Sequence, residues 1–211
     1  MINFLTYHDG TEPFKTMARD LDASIVANTD SRCHVFEVQP NGGHYLIEFY
    51  SALYPNFSQM ISDGPVVVLD ADCIVMKPID DLFEKNFAIA AIHRGKCTNS
   101  SGRQDFLGSL IGFSPACPNL VRKLWQSWIA DTWNYIEKPP VAQAALRHES
   151  LKEKGWHSNW YGGQSAYNEM LYRAEAEDPG SVLRLDREKY SARPGTEDAY
   201  IWHRKGGRKL R

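Results

Sequence analysis

Short apolar runs and helical stripes alternate from the first residues of the chain. Ile2 to Tyr7 is an apolar run of strand length, and Phe14, Met17, Ala18, Leu21 and Ile25 then recur along one helix face. Cys33 to Val38 predicts a second strand. Tyr45, Leu46, Phe49, Tyr50, Leu53 and Tyr54 predict a second helix, which Pro55 should end because proline lacks the amide a helix interior needs. Pro65 to Leu69 is an aliphatic run of the kind buried on both faces, and Phe87 to Ile92 and Gly108 to Phe113 predict two further strands. Ser114-Pro115 reads as a helix cap followed by a first-turn proline, with Leu120, Val121, Leu124, Trp125, Trp128 and Ile129 at helical spacing behind it. Asn134 to Tyr161 is poorly patterned. A shorter helix, Ser165 to Ala174, and late strands at Val182 to Leu185 and Ala199 to His203 complete the chain.

This alternation predicts an α/β protein with a mostly parallel central sheet flanked by helices. The 211 residues fit a single domain spanning 1–211, large enough to bury a core without disulfides or a structural metal. In such sheets ligands bind beyond the carboxyl ends of the strands, so the residues just after each strand are the place to look for chemistry.

Composition narrows the partners. A net charge of -2 gives no electrostatic reason to expect nucleic acid. There is no signal-peptide pattern and no apolar run long enough to span a membrane, which points to a soluble, cytoplasmic setting. Cys33, Cys73, Cys97 and Cys117 are widely spaced and read as reduced thiols rather than a zinc or redox motif.

The chemistry concentrates after the aliphatic run. Val66-Val67-Val68-Leu69-Asp70-Ala71-Asp72 sets two carboxylates behind a buried strand, and on an extended chain residues i and i+2 point to the same side. Asp70 and Asp72 can then converge on one cation, and hard oxygen ligands suit Mg²⁺ or Mn²⁺ with positions open for phosphate. A strand ending in D-x-D also presents the aspartate nucleophile of haloacid-dehalogenase-type phosphatases, with Asp70 in that role. Those enzymes usually carry it near the start of the chain and follow it with Gly or Thr, whereas Cys73 and Ile74 follow here.

The wider window VVVLDADCIVMKPIDDLF, Val66 to Phe83, resembles the nucleotide-sugar glycosyltransferases of the GT-A fold, most of all glycosyltransferase family 8 and its relatives. The likeness continues in order. Phe106 to Pro115 stands where the family has its N-S-G strand, Gly163-Gln164-Ser165 where it often has D-Q-D, and His203 to Lys209 matches its closing H-x-x-G-x-x-K. The resemblance implies a nucleotide-binding half at about 1–100 and a donor-sugar and acceptor half at about 101–211, the latter with a small acceptor-side subdomain.

It also implies roles. Asp70, Asp72 and His203 would ligate the metal, and Gly206 and Lys209 would contact the diphosphate. Thr6, Asp9 and the backbone around Ala71 would hold the nucleotide, and Gln164 would lie near the reacting sugar carbon. Two carboxylates and one imidazole favour Mn²⁺ over Mg²⁺. The basic residues Arg204, Lys205, Arg208 and Lys209 would surround an anionic leaving group, most simply UDP. The expected substrates are thus a UDP-sugar donor and a hydroxyl acceptor such as a glycan, the chain being either a minimal enzyme or one domain of a longer protein. A nucleotide-sugar binding module without turnover is the remaining alternative.

Two departures affect the sugar end. Both acids flanking Gln164 and the N-S-G asparagine and serine are absent. An inverting enzyme needs a carboxylate base near the acceptor hydroxyl; Asp105 is the first candidate, with Asp131 and Glu149 behind it. Trp156, His157, Trp160 and Tyr161 form an aromatic cluster that suits either an acceptor platform or subdomain packing.

Overall fold

The computed structural model describes residues 1–38, 45–95, 98–99, 102–103, 105–137 and 158–204. Its centre is a six-stranded sheet. In chain order the elements that build it are β1 (Asn3–His8), α1 (Phe14–Asn28), β2 (Arg32–Glu37), α2 (Tyr45–Asp63) and β3 (Val66–Leu69). Next come β4 (Cys73–Val75), a 3₁₀ turn (Asp80–Glu84), β5 (Ile89–His93), β6 (Thr98–Asn99), β7 (Gly102–Arg103), β8 (Phe106–Phe113) and α3 (Pro118–Glu137). The last are α4 (Ser158–Glu177), β9 (Val182–Asp186), α5 (Arg187–Tyr190) and β10 (Ile201–His203).

The sheet order is β2-β1-β3-β8-β5-β9. β2, β1, β3, β5 and β9 run one way, and β8 alone runs against its neighbours β3 and β5. This is the mostly parallel α/β sheet flanked by helices that the alternating pattern predicts. β4 and β10 pair separately as a two-stranded antiparallel ribbon.

All four side chains of β3 are buried, and they feed two cores. Val66 and Val68 join Leu53, Phe57, Ile61, Trp125, Trp128, Tyr167 and Met170, the apolar faces of α2, α3 and α4. Val67 and Leu69 join Leu21, Ile25, Leu82 and Ile201 on the side of α1, the 3₁₀ turn and the β4–β10 ribbon. The period-2 alternation of a strand thus becomes a helix layer on each face.

Three expectations need correction. Pro55 does not end α2, which continues to Asp63. A proline inside a helix costs about 3 kcal/mol, but the residues beyond it include Phe57 and Ile61, both fully buried. Burying two such side chains is worth roughly 1.5–3 kcal/mol each, which outweighs the break. The Ser114 cap is the second. Its Oγ accepts from the amide of Ala116 in a turn, and α3 starts at Pro118, so Pro118 takes the first-position role expected of Pro115. The third is the weakly patterned stretch, whose two ends are helical: α3 runs to Glu137 and α4 begins at Ser158. Gly163-Gln164-Ser165 therefore lies inside a helix rather than before it. Among the described residues, no helix is long and apolar enough to cross a membrane.

Candidate functional site

The D-x-D segment leaves the carboxyl end of β3, where the amide of Asp70 still bonds to the carbonyl of Ser109 on β8 at 3.1 Å. The chain then turns, with the amide of Cys73 bonded to the carbonyl of Asp70 at 3.0 Å. The two carboxylates are consequently gathered by a tight turn, not by the alternation of an extended strand. Aspartate at the first position of such a turn is favoured for its short polar side chain. Ala71, at the turn's centre, packs its methyl against Met17 and Ala18 of α1.

The β4–β10 ribbon supplies the third group. Its register places His203 opposite Cys73 and Ile201 opposite Val75, and the amide of Arg204 bonds to the carbonyl of Asp72 at 2.9 Å. His203 Nε2 thereby stands 3.2 Å from Asp72 Oδ1 and 3.8 Å from Asp70 Oδ2. The other ring nitrogen, Nδ1, lies 3.1 Å from Ser191 Oγ. Asp70, Asp72 and His203, chosen from the sequence as a ligand set, are thus brought together with the imidazole edge facing both carboxylates.

The electrostatics of this cluster are those of a site short of positive charge. Burial raises the Asp70 carboxyl to about 7, with His203 opposing the rise and Asp72 adding to it. The Asp70 side chain nevertheless keeps 41% of its exposure, so solvent screens part of that effect and the upward direction is the point that stands. Cys73 Sγ also falls within 4.8 Å of ligand atoms of Asp72 and His203. Burial and then the neighbouring Asp70 and Asp72 carboxylates push this thiol well above its ordinary value, and Sγ donates to the carbonyl of Ser109 at 3.6 Å. Among the described residues the three ligand atoms lying within 4.8 Å of one another are those of Asp72, Cys73 and His203, and Asp70 adds a carboxylate 3.8 Å from His203 Nε2. Carboxylate and imidazole donors of this kind suit a divalent cation.

The remaining candidates are placed as follows. Thr6 is fully buried, and its hydroxyl donates to the carbonyl of Leu69 at 2.8 Å. Its side chain ties β1 to β3. Asp9 follows β1 in the loop at Gly10, where its Oδ1 accepts the amide and hydroxyl of Thr11. Burial opposes ionisation there, but the bonds from Thr11 prevail and hold the Asp9 carboxyl below its usual range. Gln164 of α4 donates Nε2 to the carbonyl of Phe106 at 2.9 Å, and Gly108 lies beside its Oε1.

Asp105, proposed as a base, is 2% exposed and so closed to an acceptor hydroxyl in this arrangement. Asp131 is engaged by Arg173 at 2.8 Å on the surface between α3 and α4. Arg204 has partners within the fold. Its guanidinium reaches Asp20 Oδ2 at 2.8 Å and the carbonyl of Met17, fastening the end of β10 to α1. Gly206, Lys209, Lys205, Arg208, Glu149, Trp156 and His157 lie outside the described residues. Sequence reasoning missed Ser191 and Asp20, which hold His203 and Arg204. Neither belongs to a motif, and only the tertiary pairing reveals them.

No protein-family model matches this sequence, and no curated protein sequence matches it either. Solved structures do. One is a glycosyltransferase involved in the glycosylation of the major capsid of PBCV-1, at TM-score 0.57 and 14% identity over 96% of this chain and 92% of that one. A second is the apo bifunctional glycosyltransferase WbbM, at TM-score 0.53 and 12% identity, covering 97% of this chain and 46% of that one. A third is apo mouse xyloside xylosyltransferase 1, at TM-score 0.51 and 12% identity over 96% of this chain and 97% of that one. The chain has the fold of these glycosyltransferases, and the similarity runs through almost its whole length.

Proposed function

We propose that this chain is a metal-dependent glycosyltransferase that moves a hexose-type sugar from a nucleotide diphosphate donor, UDP-linked, to a hydroxyl acceptor such as a glycan. The observation that carries the reading is the meeting of Asp70, Asp72 and His203 at the carboxyl end of β3, on a fold shared with glycosyltransferases. A glycosyltransferase fold alone would fit many donors, and a D-x-D alone would fit many metal sites. Their coincidence is the argument.

In this reading Asp70, Asp72 and His203 hold Mn²⁺, which supplies Lewis-acid stabilisation to the departing diphosphate as negative charge grows on it. The carboxylates bind as anions, and His203 offers Nε2 because its Nδ1 is occupied by Ser191. The β1 and β3 ends and the loop carrying Asp9 form the nucleotide side. The H-x-x-G-x-x-K likeness assigns Gly206 and Lys209 to the phosphates, glycine allowing close backbone approach and lysine adding a point charge. Gln164, held on β8, lies on the donor-sugar side.

The test is a screen of nucleotide diphosphate sugars for slow hydrolysis in Mn²⁺ without an acceptor. The reading expects release of the nucleoside diphosphate from at least one donor and no hydrolysis of p-nitrophenyl phosphate. Phosphoester hydrolysis with no donor cleavage would replace it with the phosphatase reading of Asp70. Binding of UDP and Mn²⁺ with no turnover on any donor would leave a binding module.

A further inference from the structure

Behind the three candidate ligands runs a buried chain of hydroxyls that no motif marks. Ser191 Oγ lies 3.1 Å from His203 Nδ1 and 3.2 Å from Ser109 Oγ. Ser109 and Ser191 are both buried. Ser109 sits on β8, and its carbonyl accepts from the amide of Asp70 at 3.1 Å and from Cys73 Sγ at 3.6 Å. One residue of the antiparallel strand therefore braces both ends of the ligand set. Its backbone fixes the start of the Asp70 turn, and its hydroxyl reaches His203 through Ser191.

We infer that Ser191 and Ser109 are positioning residues for the metal ligand His203, acting through a hydroxyl relay that fixes its ring. This rests on the metal reading proposed above. A hydroxyl has one proton and two lone pairs, so it can accept from one neighbour and donate to another. An imidazole that ligates through Nε2 carries its proton on Nδ1. His203 then donates Nδ1–H to Ser191 Oγ, and Ser191 donates its own proton to Ser109 Oγ. Every step has a donor and an acceptor, and the ring is held with Nε2 aimed at Asp70 and Asp72.

Ser191 is itself well placed to be rigid. It caps the end of α5 by bonding its amide to the carbonyl of Arg187, the first residue of that helix, and the next residue, Ala192, bridges to Trp202 on β10. The amide of His203 in turn bonds to the carbonyl of Ala192 at 2.9 Å. The ring of His203 and its backbone are thus fixed by consecutive residues, 191 and 192. Loss of the hydroxyl leaves the strand in place and releases only the ring.

The experiment is Mn²⁺ affinity, read as free Mn²⁺ by electron paramagnetic resonance, for the wild type, Ser191→Ala, Ser191→Thr and Ser109→Ala. Removing a group that orients a metal-bound histidine costs about 10–100-fold in affinity. Ser191→Ala should weaken Mn²⁺ binding by about that factor, and Ser109→Ala by less. Ser191→Thr, which keeps the hydroxyl, should stay near wild type. Melting of the metal-free proteins checks that each is folded, and Ser191→Cys serves in the same comparison if the alanine variant does not fold. Equal Mn²⁺ affinity in wild type and Ser191→Ala would overturn the relay while leaving the metal reading intact. A wild type that does not bind Mn²⁺ would overturn the metal reading and the relay with it.

Discussion

His203 Nε2 stands 3.2 Å from Asp72 Oδ1, although the two residues lie far apart in the sequence. The contact is made by backbone pairing. β10 runs antiparallel to β4 with His203 opposite Cys73, and the amide of Arg204 closes onto the carbonyl of Asp72. The imidazole is therefore delivered to the carboxylates by a ladder, and the cluster should persist whether or not a cation is bound.

Asp70 gives the pH dependence. Burial disfavours its anion and raises the folded carboxyl toward about 7, whereas an unfolded aspartate titrates near 3.9. Between those values the folded state holds a proton that the unfolded state has released. Metal-free stability from this group is therefore fully present below about 3.9, is lost progressively as pH rises toward about 7, and changes little above that. Asp70→Asn should melt higher than wild type at pH 8 without metal, and the gap should narrow steadily as pH is lowered toward about 4. Thermal melts of both proteins across that range check it, and a lower melting temperature for the variant at pH 8 would contradict the assignment.

Arg204 tests the boundary between structure and ligand binding. Its guanidinium lies 2.8 Å from Asp20 and is itself mostly shielded, although Asp20 is half exposed, so Arg204→Ala should cost about 1–2 kcal/mol of stability. UDP affinity in Mn²⁺, measured by calorimetry, should change by less than about tenfold, since 1.4 kcal/mol corresponds to that factor. A large loss of UDP affinity at unchanged stability would return Arg204 to the leaving group.

Phe57 tests the core that carries β3. It is fully buried beyond Pro55 and stacks on Trp125 at 4.1 Å between ring centroids. Phe57→Ala should cost roughly 3–5 kcal/mol in denaturant unfolding, as large aromatic truncations do. A loss below about 1 kcal/mol would mean that the second half of α2 does not anchor the helix as described.

Much of this was legible in the sequence, and the exceptions share a cause. The aliphatic run before Asp70 announced a strand buried on both faces because four consecutive apolar residues have no solvent side, and β3 is that strand. Pro55 does not end its helix as the local rule predicts, because Phe57 and Ile61, both fully buried, follow it. Ser114 misled by one turn, since a serine before a proline caps a turn as readily as a helix. Asp70 and Asp72 are gathered by a turn, where the residue pattern predicts an extended strand. The grouping of His203 with Asp70 and Asp72 has no local signature and follows only from likeness to other sequences, while the register that sets His203 opposite Cys73 is not legible at all. Ser109, Ser191 and Asp20 were invisible, because a buried hydroxyl or a single surface acid acquires its role only from what folds against it.

The most direct measurement is the melting temperature of wild type and Asp72→Ala with UDP and Mn²⁺ together. A ligand at 100 times its Kd stabilises by about 2.7 kcal/mol, which for a chain of this size is a rise of roughly 5–10 °C. The account predicts that rise for wild type, none for Asp72→Ala, and none for wild type with UDP and a chelator. An unchanged melting temperature for wild type in saturating UDP and Mn²⁺ would contradict it.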